Sequence, residues 1–142
     1  MEQYSRRNSI RISGVAETTD VSEFISAKLN IDVSDQIDRC HPVGKRNADD
    51  KPRPLLVKFL NYGSREKVLK GRSKLKGSGI YINEDLTKNR SEIASKCRSL
   101  KKEKKITNTW IRDGTIFVKR IDDRVIRINS SRQLSIFVSS LD

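Results

Sequence analysis

The chain has 142 residues, enough for one ordinary domain or two small ones, each with a modest core. Thirty Lys and Arg against eighteen Asp and Glu give a formal net charge of +12, which points to a polyanionic partner, either nucleic acid or an anionic membrane surface. No apolar run approaches the roughly 20 residues that span a bilayer, and the polar start "MEQYSRRNS" lacks the apolar stretch of a signal peptide, so an intracellular protein is expected.

Residues 9–15, "SIRISGV", alternate around Ile10 and Ile12 and end at a glycine, the pattern of a half-buried strand with Arg11 facing away. Asp20 can cap a helix whose apolar positions Val21, Phe24, Ile25 and Leu29 have helical spacing. A second strand lies in "IDRCHPV". The polar loop "GKRNADDKPRP" follows, broken by Pro52 and Pro54, and is expected to be the least ordered interior stretch. "LLVKFL", residues 55–60, is a strong strand with Leu55, Val57 and Phe59 on one face and Leu56 and Lys58 on the other. Ser64 can cap a second helix with Val68, Leu69 and Leu75 on its apolar side, and "GIYIN" gives a fourth strand that buries Ile80 and Ile82 and exposes Tyr81 and Asn83. The order strand, helix, strand, strand, helix, strand is that of the ferredoxin-like split unit.

From Leu86 the pattern changes. Thr87 can cap a long helix in which Ile93, Cys97 and Leu100 form a narrow stripe, while Arg90, Lys96, Arg98, Lys101, Lys102, Lys104 and Lys105 occupy other faces. Asp113-Gly114 signals a two-residue hairpin turn, which pairs Arg112 with Thr115, Ile111 with Ile116, Trp110 with Phe117 and Thr109 with Val118. Ile111, Ile116 and Val118 then share a core face, whereas Trp110, Phe117, Arg112 and Lys119 share the other. A third strand, "VIRIN", and a last helix capped by Ser131, with Leu134, Phe137, Val138 and Leu141 as its stripe, complete the chain. The expected organisation is α+β: residues 1–8 as the end of an upstream coiled coil or linker, a domain over 9–85, and a small basic α+β domain over 86–142 with a basic helix and a three-stranded antiparallel sheet.

No chemistry-bearing motif accompanies these elements. Cys40 and Cys97 are far apart and His41 is the only histidine, so a structural zinc lacks its ligand set. Gly71, Gly77 and Gly79 have neither the Walker nor the dinucleotide spacing, and nothing marks a nucleophile elbow. No catalysis, metal, cofactor or small-molecule substrate is expected. Residues 86–120 hold eleven Lys and Arg against three Asp and Glu, a surplus of +8 beside the only tryptophan. Two aromatics and two cations on one strand face suit a stacked base with its phosphate. The competing reading makes Trp110 and Phe117 a cross-strand pair that covers a neighbouring element. A lipid surface is disfavoured, because the narrow apolar stripe of the basic helix is needed for packing.

In its first part, "IRISGV" and "PLLVKF" resemble the two signature strands of an RNA-recognition motif. Arg11, Pro54 and Leu56 stand where that family's base-stacking aromatics would be. The sheet is therefore expected to bind backbone, with Arg11, Lys58 and Tyr81 as its exposed-face candidates. The series "EQYSRRNSIRISGV", "RPLLVKFLNYGSREKVLKGRSKLKG", "YINEDLT", the basic helix and "TWIRDGTIFVK" resembles the first-open-reading-frame protein of LINE-type retrotransposons over essentially the full chain. The basic C-terminal part is also similar to the baculovirus few-polyhedra protein. The retrotransposon resemblance implies a non-enzymatic binder of single-stranded RNA and DNA, largely independent of sequence. It also implies nucleic acid chaperone activity, a homotrimer through an upstream coiled coil, and cytoplasmic ribonucleoprotein particles, with the nucleus as a second compartment. Arg11, Lys58 and Lys70 match the family's basic positions, and Trp110 lies near an aromatic of its C-terminal domain. The expected binding residues are Arg6, Arg7, Arg11, Lys58, Lys70, Tyr81, Arg98, Lys101, Lys102, Lys105, Trp110, Arg112 and Lys119. The alternative is a protein-interaction module with a covered sheet face and a basic targeting helix.

Overall fold

The computed structural model of the chain describes residues 2–46 and 49–141. The chain divides into two compact units, Ser5–Asp85 and the residues from Leu86 onward, the latter joined by the segment that precedes Ser5.

In the first unit, β1 (Ser9–Ser13), β2 (Ile37–Pro42), β3 (Leu55–Phe59) and β4 (Tyr81–Glu84) form an antiparallel sheet in the order β2-β3-β1-β4, with α1 (Val21–Leu29) after β1 and α2 (Tyr62–Gly71) after β3. Alternation places Ile10, Ile12, Leu55, Val57, Phe59 and Ile82 on the covered face, where they pack with Val21, Ile25, Leu29 and Val68 of the helices. Asp20 caps α1 by accepting from the Glu23 amide at 3.2 Å. The second helix begins earlier than the Ser64 cap suggests. Asn61 is its N-cap, accepting from the Ser64 amide at 2.9 Å, and the helix tightens into a 3-10 turn, Arg72–Leu75, that buries Leu75. β4 starts at Tyr81, so Ile80 precedes the strand and is only partly buried.

Gly14 closes β1 with φ +90, and a Cβ there would run into the Gly79 carbonyl, so both conformation and space call for glycine. Arg65 of α2 is buried and ion-paired at 2.9 Å to Glu84 of β4 and at 2.5 Å to Glu66. This charge therefore ties helix to sheet rather than facing solvent. In the polar loop after β2, residues 47–48 lie outside the described set. Its base is held where Arg53 donates to Glu17 from Nη2 at 2.9 Å, from Nε at 3.2 Å and from its amide at 3.1 Å.

The second unit contains α3 (Lys88–Lys102), the antiparallel sheet β5 (Asn108–Arg112), β6 (Thr115–Lys119) and β7 (Val125–Ile128) in sequential order, and α4 (Ser131–Ser139). Thr87 caps α3 through the Arg90 amide, and its own amide donates to Gln3 Oε1 at 2.9 Å. The stripe Ile93, Ala94, Cys97 and Leu100 packs on Ile116, Val118 and Ile128 of the sheet and on Leu134 and Phe137 of α4. α4 is capped by Ser130, one residue before the expected Ser131, and its Val138 is exposed rather than part of the stripe. Among the described residues no helix is long and apolar enough to cross a membrane.

Candidate nucleic-acid interface

The open face of the first sheet follows from its register. Arg11 lies between Leu56 and Asn83, and Leu56 in turn is paired with His41. Lys58 sits between Arg39 and Ser9, and Tyr81, opposite Ser13, is largely exposed. Directly opposed residues point to the same side, so Arg11, Lys58 and Tyr81 do share a face. Arg39 joins them beside a β-bulge between Ile37 and Arg39, a residue that strand alternation could not orient before the pairing was known.

Arg11 is not simply displayed there. Its Nε donates to Asp85 Oδ1 at 2.9 Å, and Arg6 Nη1 donates to the same oxygen at 3.0 Å, while the Asp85 side chain is only 3% exposed. One buried carboxylate thus gathers two of the expected phosphate-binding arginines at the end of β1. Arg7 is exposed in the turn before that strand. Lys70 is exposed in the last turn of α2, in the helix layer on the other side of the sheet, and is not brought together with Arg11 and Lys58.

The second sheet has the expected register in full. Trp110 faces Phe117, Arg112 faces Thr115, and Asn108 faces Lys119. Asp113 and Gly114 have φ 51 and 78, the two positive values of a type I′ turn, whose twist matches that of the strands it joins. Ile116 and Val118 are fully buried, whereas Trp110 is 38% exposed with its ring stacked on Phe117, centroids 5.6 Å apart and planes within 10°. The β6–β7 register places Arg127 opposite Phe117, and its guanidinium lies over that ring at 5.7 Å. Arg127 escaped sequence reasoning because the loop before β7 leaves its register open.

Cations flank the aromatic row along the strands. Arg112 is exposed on the turn side without an ion-pair partner among the described residues, and Lys119, on the other, is 3.7 Å from Asp123. Lys101 of α3 donates from Nζ to Asn108 Oδ1 at 3.0 Å, reaching β5 at the sheet's edge. Arg98, Lys102 and Lys105 are exposed on α3 or just beyond it.

The helix ends in a Schellman arrangement: Lys104 has φ 61, and the Lys105 amide donates to the Leu100 carbonyl at 3.0 Å. Lysines at this end are favoured by the helix dipole, which accounts for part of the cluster without any ligand. Cys97, buried in the second unit's core, has its thiol pushed up by burial, opposed by a hydrogen bond with Thr109 and the charge of Arg98. It is a core residue.

In comparisons with known proteins the chain matches no family model and no curated sequence.

Proposed function

We propose that the protein is a non-enzymatic binder of single-stranded RNA or DNA with little sequence preference, acting as a nucleic acid chaperone of a LINE-type retrotransposon. The observation that carries this reading is the half-exposed Trp110 stacked on Phe117 with Arg112, Lys119 and Arg127 on the same open face. Aromatic planes accept any base, and the surrounding cations neutralise backbone, a combination that favours unpaired strands over duplex. The order β2-β3-β1-β4 with helices after β1 and β3 supports a ferredoxin-like, RNA-recognition-type first unit, and its arginine and lysine positions support backbone rather than base contact. Trimerisation through a coiled coil upstream of these residues, and residence in cytoplasmic ribonucleoprotein particles, extend the same proposal.

The test is a titration with single-stranded RNA, single-stranded DNA and duplex across a salt series, read by anisotropy and by the emission of Trp110. Single strands are expected to bind best, to quench the tryptophan, and to lose log affinity with log salt at about −0.7 per phosphate engaged. Trp110→Ala should cost ~1 to 3 kcal/mol of binding, the value of one base stack. Affinity indifferent to salt, with tryptophan emission unmoved at saturation, would instead support a protein partner.

A further inference from the structure

The stack on the second sheet has a direction. The Trp110 and Phe117 ring planes lie within 10° of one another, with centroids 5.6 Å apart. That separation is little more than the spacing of neighbouring strands, about 4.8 Å. The ring faces therefore look along the sheet, from strand to strand, and not up from it. Phe117 has Trp110 on one face and the Arg127 guanidinium, 5.7 Å away, over the ring. Trp110 has Phe117 on one side only. β5 is an edge strand, so the other indole face looks off the sheet, and the residue's 38% exposure is consistent with that face being open.

A cation waits at that edge. The Lys101 Nζ is held 3.0 Å from Asn108 Oδ1, and Asn108 stands two residues from Trp110 on the same side of the strand. Two strand residues span about 7 Å, a length comparable with the reach from a base across its sugar to its phosphate. Asn108 Oδ1 also accepts from the Thr109 amide at 2.9 Å, which fixes the carboxamide that positions Lys101. Lys101 makes no ion pair among the described residues, so no carboxylate competes for its charge.

Resting on the single-strand reading above, we propose that the outer face of Trp110 is a one-nucleotide slot at the β5 edge. One base continues the row Arg127, Phe117, Trp110, and Lys101 holds the phosphate of that same nucleotide. The slot takes nucleoside monophosphates as well as single strands, and admits no paired base, because a base in a duplex has both faces already stacked.

The experiment uses adenosine 5′-monophosphate, adenosine and inorganic phosphate as probes of Trp110 emission in the full chain. The monophosphate is expected to quench saturably, and adenosine more weakly. Inorganic phosphate should not quench, but should compete with the monophosphate. Lys101→Met, a change at an exposed position, should weaken the monophosphate about tenfold, the loss of one charge-assisted hydrogen bond, and leave adenosine unchanged. Linear, unsaturable quenching by both adenosine and its monophosphate, or a Lys101→Met protein that binds the monophosphate like the parent, would overturn the slot. If single-stranded oligonucleotides still bind with a salt slope and quench Trp110, only the slot has failed. If they do not, the single-strand reading has failed with it.

Discussion

Arg11 illustrates how a single side chain can carry two tasks. On an open sheet face an arginine is ordinarily worth little to stability, because both its charge and its partners stay hydrated. Here Asp85 is 3% exposed and forms ion pairs with both Arg11 and Arg6. Burying a carboxylate is costly unless such donors remain in place. Arg11→Ala should therefore lower unfolding free energy by about 1 to 2 kcal/mol, the low half of the range for depriving a buried charge of a bond, since Arg6 stays. Urea denaturation measures it, and an unchanged midpoint would show that the remaining partners of Asp85 suffice. Loss of binding in this variant must accordingly be judged at a denaturant concentration or temperature where it is fully folded.

Among the elements, the hairpin and the loop base bear the sharpest consequences. Gly114 is buried with φ +78, and a Cβ there would come within 2.7 Å of Gln3 Cγ. Gln3 cannot swing away freely, because its carbonyl accepts from the Thr87 amide at the start of α3. Arg90 of that helix also donates to the Gly114 carbonyl. Gly114→Ala should thus cost roughly 1 to 2 kcal/mol, the penalty for a side chain in left-handed backbone, seen as a lower thermal midpoint. Stability equal to the parent's would mean that the turn relaxes to another type.

The loop after β2 depends on Glu17, whose carboxyl is held below its ordinary value by the hydrogen bonds from the Arg53 side chain and amide. A carboxylate whose folded pKa is depressed stabilises the fold above its unfolded pKa and loses that contribution as pH falls through the folded value. Glu17→Gln should therefore be less stable than the parent at neutral pH. The two should converge in acid, below the ordinary carboxylate range. A difference that persists unchanged to low pH would assign the effect to shape and not to charge.

For the whole molecule, the charge is unevenly shared. Residues 86–120 carry +8 of the +12, yet the first sheet contributes its own cations, with Arg39 and Lys58 as register partners. If the first sheet also engages single strands, neutralising Arg39 and Lys58 together should reduce the salt slope by about 1.4, at 0.7 per phosphate. Adding Lys101→Met should reduce it by a further 0.7 or so, because contacts on separate surfaces contribute independently. Slopes across the series of variants check this. A slope that responds to Lys101 and not to the first-sheet pair would confine binding to the second unit.

Much of this molecule follows from sequence because the signals are local. The alternation in "SIRIS", "LLVKF" and "TIFVK", the caps at Asp20 and Thr87, and the Asp113-Gly114 turn each act within a few residues, and the hairpin register that aligns Trp110 with Phe117 needs nothing more. The cap at Asn61 in place of Ser64, and at Ser130 in place of Ser131, shows the limit even there. Neighbouring side chains of similar chemistry compete, and the backbone path decides. What tertiary structure alone decided are the meetings of residues distant in the chain. Arg11 and Arg6 meet Asp85 at separations of 74 and 79 residues, Arg65 is drawn under cover by Glu84, and Arg39 and Arg127 reach their sheets' open faces by registers that loops leave undetermined. A charged residue's local pattern states only that it is not apolar. Whether it faces solvent, a carboxylate or an aromatic ring is settled by which strands pair, and that pairing is a property of the packed whole.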